Sequence, residues 1–325
     1  MRLKPRAFLL AALVALVGTG TAVAGNGGFG PVDAASPNAE RTSDAYWVVF
    51  GLTSFVFVLV EGTLVLFLLR FRSRRRARQV DGPQIRGHTK LEIAWTTGPV
   101  LILAAIAAFV FYKLPGIQDA PAARAADRLT IRVEAHQFYW QFVYPDGQVA
   151  IDRMVVPAGR VVSLDVTSPD VVHSWWVPAL GGKIDAIPGR TTHTWFQADT
   201  PGVYRGQCAE LCGLEHASMR ATVEVVGETE FARFLASHAP GSRTVAEEVW
   251  GGVCAKCHGA QGEGDYGRPL RNNPIVEDEA AVRLVLEEGR RLGTRVMPPI
   301  NEGWSDEQTD AVLRYLKAEL GPGGA

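Results

Sequence analysis

The sequence YRGQCAELCGLEHASM, residues 204–219, requires a fold whose loops converge at one end of a domain. It holds four side chains that bind soft metal ions: Cys208, Cys212, His216 and Met219. Two thiolates four residues apart can turn toward one point from a single loop between strands, and His173 can close around them from another loop. Thiolate, thioether and imidazole ligands together suit copper. A mononuclear blue-copper site needs one cysteine, so this set fits two copper ions bridged by both sulfurs.

A zinc site is the alternative for this stretch. Its four ligands are Cys208, Cys212, His216 and His173. That interpretation leaves Met219 without a role and does not need this loop architecture. Copper is therefore the favoured metal.

The residues around this stretch predict short β-strands. Residues 129–134 alternate apolar and polar side chains, and residues 161–167 also have a period near two. Turn signals separate such runs, as at Pro145-Asp-Gly147 and Pro157-Ala-Gly159. Short strands at this spacing predict a β-sandwich or barrel over about residues 127–227.

A second cysteine pair lies in the segment Cys254-Ala-Lys-Cys257-His258, the attachment motif of a c-type haem. Two cysteines on one helical turn reach the two vinyl groups, and His258 lies beneath the iron as an axial ligand. Met297 is the methionine that remains for the other axial position, and a Met/His pair makes an electron carrier without an open site. A thioredoxin-like motif or half a zinc site is the alternative, but neither a βαβ pattern nor another cysteine pair follows.

The haem motif defines a second external domain, residues 243–321, after a connector at 227–243. Ser305-x-x-Gln308 is a capping-box sequence for a last helix. The apolar face of that helix consists of Val312, Leu313, Tyr315, Leu316 and Leu320. The remaining histidines are interpreted as structural or solvated: His88, His136, His193 and His238.

The first third of the chain predicts export and membrane insertion. Residues 1–24 have the basic start, apolar run and small-residue end of a signal peptide. An external segment (25–44) precedes a hairpin of two spans, about 45–69 and 91–114, each long enough to cross a bilayer. The connection between the spans is rich in arginine, which places it in the cytoplasm and both soluble domains outside a bacterial cell membrane. Glu61, at membrane depth, has no assigned role.

Overall composition limits the partners. There are 33 Lys and Arg residues against 34 Asp and Glu, a net charge of −1. Without a basic surface that would release counterions, nucleic acid is excluded as a partner.

Three stretches resemble cytochrome c oxidase subunit II: GKIDAIPGR (182–190), YRGQCAELCG (204–213) and LEIAWTTGP (91–99). The resemblance implies a dinuclear copper centre, CuA, in a cupredoxin-like fold. It implies side-chain ligation by His173, Cys208, Cys212, His216 and Met219, and ligation by Glu210 through its backbone carbonyl. It also assigns the Glu210 side chain to a magnesium site shared with the catalytic subunit, and Glu92 to a proton-uptake entrance.

The C-terminal domain is similar to class I cytochrome c, and its fusion to a copper domain resembles a caa3-type subunit II. The expected fold is multi-domain: a two-helix transmembrane hairpin, an all-β cupredoxin-like sandwich and an all-α cytochrome c domain. Phe138 occupies the position where the family commonly has a tryptophan that receives electrons from soluble cytochrome c. Tyr139 and Trp140 are the candidates to replace it.

The resulting hypothesis is an electron-input subunit that passes electrons from haem c to CuA. The electrons then reach subunit I of a haem-copper oxidase, which reduces oxygen and pumps protons, with subunit III as a further partner and a periplasmic or membrane-bound donor. The chain itself has no catalytic residue in this hypothesis. Two alternatives stay open: the input subunit of a CuA-containing nitric oxide reductase, and a stand-alone copper and haem redox protein of the membrane.

Overall fold

The computed structural model describes residues 30–72, 84–121 and 127–322. The predicted signal peptide and most of the arginine-rich connection, residues 73–83, lie outside the described residues. The described chain forms two compact units: one contains most of the two long apolar helices, and the other contains residues 33–40 and 118 onward.

Helices α1 (Pro37–Phe71) and α2 (Thr89–Gln118) contain the predicted spans and extend beyond both ends of each. Their most apolar windows have mean hydropathy 2.3 and 2.2 and are wholly unburied, as expected for helices whose solvent is lipid. Lys113 Nζ lies 2.6 Å from Asp44 Oδ2, and Arg41 donates to the carbonyl of Gly116. These contacts join the start of α1 to the end of α2.

Ten strands form the predicted β-sandwich. They are β1 (Leu129–His136), β2 (Tyr139–Val143), β3 (Val149–Ile151), β4 (Arg153–Pro157), β5 (Val161–Thr167), β6 (His173–Trp176), β7 (Ile184–Ala186), β8 (Thr192–Gln197), β9 (Gly202–Cys208) and β10 (Arg220–Val226). One sheet has the order β3-β2-β1-β5-β8, and the other has the order β4-β10-β9-β6-β7. The pairs β1–β5 and β4–β10 are parallel, and the remaining pairs are antiparallel.

The sandwich core forms between the two sheets. Ile131, Trp140, Phe142, Leu164 and Val223 are completely buried there. Burying a side chain of this size contributes about 1.5–3 kcal/mol relative to leaving it in water. The core holds rigid the end of the sandwich from which the metal-binding loops emerge.

The segment before α1 and the first turn of α1 pack on the sandwich. The amide of Ala35 donates to the carbonyl of Ala179 at 2.7 Å, and Asn38 Nδ2 donates to the carbonyl of Trp195 at 2.8 Å. These residues belong to the predicted external segment, and their contacts fix it to the soluble part of the chain.

The C-terminal part is mainly helical. Its helices are α3 (Glu228–Ser237), α4 (Arg243–Val249), α5 (Ala255–His258), α6 (Glu279–Glu288) and α7 (Asp306–Leu320). A π-helical turn, Trp250–Cys254, joins α4 to α5, and a 3-10 turn spans Pro274–Glu277. A hairpin of β11 (Arg290–Leu292) and β12 (Arg295–Met297) was not predicted. Gly289 and Gly293, with φ of 69° and 62°, provide the left-handed backbone of its approach and turn.

The capping-box prediction is half right. Ser305 Oγ accepts from the amide of Gln308 at 3.2 Å, as predicted. The Gln308 side chain does not return to the cap. Its Nε2 instead donates to Gln141 Oε1 of β2 at 2.9 Å, so a buried contact with the sandwich replaces the local one.

The cytochrome-like domain and the sandwich share a hydrophobic core. Tyr139, Val149 and Ile151 of the sandwich cluster with residues of α4 and α7, such as Val249 and Leu313. Because this core is continuous, the two soluble domains pack as one body.

Candidate copper and haem sites

The predicted copper ligands meet at one end of the sandwich. Cys208 ends β9, His173 begins β6, and the intervening loop carries Cys212 and His216 before Met219 leads into β10. The two Sγ atoms lie 3.9 Å apart. Cys212 Sγ is 3.6 Å from His216 Nδ1 and 3.9 Å from Met219 Sδ. Cys208 Sγ is 3.9 Å from His173 Nδ1, so the sulfur pair has an imidazole on each side.

The two thiols titrate as a pair. Contact with Cys212 lowers the pKa of Cys208, and the same contact raises the pKa of Cys212. One proton therefore leaves easily, while the second thiolate would lie beside a like charge. Positive charge between the sulfurs removes that repulsion, and soft donors favour copper for the role.

His173 is oriented by a neighbouring carboxylate. Its Nε2 lies 2.8 Å from Asp170 Oδ1, and because a carboxylate only accepts, Nε2 carries the hydrogen and Nδ1 is left toward Cys208. Burial alone would lower the pKa of His173, but the bond to Asp170 raises it overall. Such a partner fixes the ring and its tautomer for metal binding.

The site is shielded from water. His173 and Met219 are completely buried, and both cysteines are buried as well. The Trp140 ring contacts His173 with centroids 6.3 Å apart and meets Trp175 edge-on at 5.1 Å. An apolar cover of this kind suits a centre that exchanges charge without exchanging ligands.

Glu210 has two roles available at different atoms. Its backbone carbonyl accepts from Cys208 Sγ at 3.2 Å, while its side chain is exposed with Oε2 3.6 Å from Lys183 Nζ. The described residues contain one group of metal-binding side chains in close contact, His173, Cys208 and Cys212. The magnesium role of Glu210 stays a prediction.

The haem motif lies on the π-helical turn and α5. Cys254 and Cys257 are free and half-buried. Burial raises the pKa of Cys254 to about 12, and burial together with the charge of Glu215 raises the pKa of Cys257. His258 Nδ1 lies 2.7 Å from the carbonyl of Arg268. A carbonyl only accepts, so Nδ1 carries the hydrogen and Nε2 is left for iron.

Met297 ends β12 on the unpredicted hairpin. It is half-buried against the core of its domain, as are six further apolar side chains: Cys254, Ala255, Leu270, Val282, Trp304 and Tyr315. Partly covered apolar side chains suit the rim of a bound haem. The thiols and the oriented imidazole fit a covalent haem c, and Met297 as the second axial ligand stays a prediction.

The two sites approach each other at Gln137 and Phe138. Gln137 Nε2 donates to the carbonyl of Cys212 at 2.6 Å. The Phe138 ring lies so close to Gly213 that an added Cβ would be 2.9 Å from Cε1. On the other side, Lys256 Nζ of the haem motif donates to the carbonyl of Phe138 at 2.9 Å.

Tyr139 and Trp140, the candidates for electron input, are both completely buried. Tyr139 Oη donates to the carbonyl of Ile300 at 2.8 Å and accepts from Trp304 Nε1 at 3.0 Å. The cytochrome-like domain therefore covers Tyr139, and neither side chain offers a surface to a diffusing donor.

Other predicted residues have local partners. Glu92 Oε1 accepts from the amide of His88 at 2.9 Å at the start of α2, and Glu61 is exposed along α1. His136 and His238 are buried, and His238 Nε2 lies 3.2 Å from Glu248 Oε1. The exposed His193 pairs with Asp165 at 2.8 Å.

Sequence reasoning missed Asp170 and Lys256. Asp170 lies three residues before His173, a spacing that could have suggested it as a partner. The contact of Lys256 with Phe138 had no local signal, because the two residues are far apart in sequence and in different domains.

Three family models match separate parts of the chain. The transmembrane domain of cytochrome c oxidase subunit II matches residues 24–112, and its periplasmic domain matches residues 148–226. A model described as cytochrome c oxidase, cbb3-type, subunit III matches residues 242–316.

Two relatives match most of the chain. Cytochrome c oxidase subunit 2 of Alkalihalophilus pseudofirmus is 30% identical over 306 residues, covering 84% of this chain and 87% of that protein. The Synechocystis subunit 2 is 30% identical and covers 80% of this chain and 89% of its own length. The solved periplasmic domain of subunit II from Bradyrhizobium japonicum is 39% identical over 34% of this chain and 92% of that one, with a TM-score of 0.33. The chain belongs to the cytochrome c oxidase subunit 2 family, as a haem-copper oxidase subunit II with a C-terminal cytochrome c domain.

Proposed function

We propose that this chain is the electron-input subunit of its oxidase, in which haem c passes electrons to a dinuclear copper centre and onward to the oxygen-reducing, proton-pumping subunit I. The observation that carries the proposal is the cluster of two cysteines, two histidines and a methionine at one end of the sandwich. Neighbouring donor atoms in it lie 3.6–3.9 Å apart.

The copper centre supplies one-electron chemistry when it is bound. Cys208 and Cys212 would bind it from β9 and its loop, and the Asp170 contact holds His173 in the tautomer that can ligate. Trp140 and Trp175 exclude water from the buried side. A rigid, dry ligand set changes little when its charge changes, which favours fast electron exchange.

The cytochrome domain holds its cofactor with a separate set of residues. Cys254 and Cys257 would attach the haem, His258 and Met297 would bind its iron, and the Arg268 carbonyl orients His258. Because both domains share one core, transfer between the cofactors stays within the molecule. A short tether alone gives effective concentrations on the order of millimolar.

The family implies a complex with subunit I in the membrane. We place both soluble domains on the outer side of a bacterial cell membrane, with α1 and α2 against the partner. Subunit III, a magnesium ion at Glu210 and proton uptake near Glu92 belong to the same proposal. A periplasmic or membrane-bound donor reduces the haem.

The test of the cofactors is metal and haem analysis of the purified chain with electron paramagnetic resonance. Two copper ions that share one unpaired electron, with one covalent haem, are the expected result. One zinc ion without copper would contradict the copper assignment.

The test of the reaction is turnover of the purified complex with oxygen and with nitric oxide. Oxygen consumption that is lost in Cys208→Ser, with haem c still reducible, supports the proposal. Consumption of nitric oxide but not oxygen would favour the reductase alternative. A chain that always purifies without a catalytic subunit would favour the stand-alone protein.

A further inference from the structure

We propose that Lys256 is a positioning residue that holds the haem-attachment helix against Phe138 and so sets the rate of electron transfer from haem c to the copper centre. This inference rests on the proposed function and names the residue on which its intramolecular step depends. Lys256 is one of the two residues between the cysteines of the haem-attachment motif.

The Lys256 ammonium makes two contacts with the sandwich. Its Nζ donates to the carbonyl of Phe138 at 2.9 Å and to Asp152 Oδ2 at 2.8 Å. Both ionic side chains are about one-fifth exposed, 20% for Lys256 and 22% for Asp152. An ion pair covered to this extent is screened far less than one on an open surface.

Asp152 is itself fixed in place. Its Oδ1 accepts from the amide of Trp140 at 2.8 Å, and its backbone has a φ of 57°, uncommon for a residue other than glycine. Gly252 lies against it, because an added Cβ would be 2.9 Å from Ile151 and 3.2 Å from Asp152 Oδ2. The turn that carries the haem motif therefore approaches the sandwich closely at the position of this ion pair.

The Phe138 carbonyl, which accepts from Lys256, belongs to a segment that contacts the loop of the predicted copper ligands. The Phe138 ring packs on Gly213, and the preceding Gln137 binds the carbonyl of Cys212. Lys256 is adjacent to Cys257 in the chain. The sequence of contacts from a haem-binding cysteine to a copper-binding cysteine is thus Cys257, Lys256, Phe138, Gln137 and Cys212.

The rate of electron transfer falls steeply as the distance between two cofactors grows. Loss of a contact that fixes this distance should therefore lower the rate. In the step itself, one electron leaves reduced haem c and enters the oxidised copper centre, and no bond is made or broken. Loss of the ammonium would remove its bonds to the Phe138 carbonyl and the Asp152 carboxylate, and the haem helix would lose this polar contact with the sandwich.

The experiment uses the full chain in detergent with both cofactors bound. One electron is injected photochemically into haem c, and its arrival at copper is followed by the near-infrared absorption. We expect Lys256→Met to slow this transfer about 10-fold or more, in line with the cost of small displacements. Lys256→Arg should restore most of the rate, and Asp152→Asn should slow it from the other side of the contact.

Lys317→Met is the matched control. Lys317 lies in the same domain and pairs with Glu277 and Glu279 at 3.7 Å, away from the sandwich. Its replacement should leave the rate unchanged. Transfer at the unaltered rate in Lys256→Met would overturn the inference, whereas absence of transfer in the unaltered chain would instead overturn the proposed function.

A second readout tests positioning without electron transfer. Hydrogen exchange at the amides of residues 137–141 is compared in the copper-free chain. Protection should fall in Lys256→Met and Asp152→Asn but not in Lys317→Met. A slower transfer with unchanged protection would show that Lys256 acts without positioning the helix, and would also refute the inference.

Discussion

At the scale of single residues, the geometry of the proposed copper site depends on groups other than its predicted ligands. Asp170 bonds to the imidazole of His173, accepts from the amides of Gln137 and Val171, and lies outside the predicted ligand set. One carboxylate therefore fixes both a ligand and the segment that leads to Phe138.

We expect Asp170→Asn to weaken copper binding about 10- to 100-fold, the usual cost of losing an outer partner of a metal-binding histidine. The asparagine side chain has one acceptor oxygen, whereas the Asp170 carboxylate uses two oxygens to bind His173 and the amides of Gln137 and Val171. The measurement is a competition titration of the chain with a copper chelator. Asp165→Asn is the control, since Asp165 makes the same 2.8 Å contact with the exposed His193. Equal affinities in the two variants would contradict the assignment.

Glu134 makes the stability of the soluble domains depend on pH in a predictable direction. Burial alone would raise the pKa of Glu134, but its contact with His136, its ion pair with Arg132 and the hydrogen bond from Gln141 lower it overall. A lowered pKa means that the folded state binds protons less readily than the unfolded chain. The stabilisation is therefore present above the usual carboxyl range and is lost as the pH falls through the folded pKa.

Replacement of Glu134 by Gln should accordingly lower the melting temperature at pH 7, and the difference from the unaltered chain should shrink toward pH 3. Thermal unfolding of both chains between pH 7 and about pH 3 measures this difference in melting temperature. Glu230→Gln, an exposed position on α3, should show no such trend. A difference that stays constant with pH would rule out the ionised carboxylate as its cause.

At the scale of elements, the copper loop is shaped by one glycine. Gly213 has a φ of 135°, and an added Cβ would lie 2.9 Å from both Phe138 and Gln137. Gly213→Ala should therefore displace the loop and reduce the bound copper to less than about half, since both backbone strain and a steric clash oppose the native loop. Metal analysis and the near-infrared spectrum report the loss. Gly182→Ala meets no atom within 4 Å and should bind copper normally.

Local sequence patterns predicted the individual helices and strands better than the contacts between them. Periodicity predicted the strands that became β1 and β5, and residue spacing predicted the two cofactor motifs, because each signal lies within a few neighbouring residues. The β11–β12 hairpin was missed because its strands have three residues each. Gln308 was assigned to its own helix cap because the competing partner, Gln141, is distant in sequence. The same distance concealed the contact between Lys256 and Phe138.

At the scale of the whole molecule, Tyr139 joins the two soluble domains. Tyr139→Phe would leave the Ile300 carbonyl and Trp304 Nε1 without this partner, at a cost of about 1–3 kcal/mol. Calorimetry of the full chain should show the cytochrome domain unfolding at a lower temperature than before. Tyr144→Phe is the control, because Tyr144 bonds to Val155 within the sandwich and should affect that domain first. The same change in both variants would contradict a joint at Tyr139.

The common core under Tyr139, Val149 and Ile151 has a kinetic consequence. The cytochrome domain covers this surface of the sandwich at any dilution, because both domains belong to one polypeptide. Reduction of the sandwich by its attached domain should therefore follow first-order kinetics at any protein concentration. Salt weakens encounters between separate charged proteins but should leave the rate of this step nearly unaffected. Electron delivery to the copper centre would then be limited only by the rate at which the external donor reduces the haem.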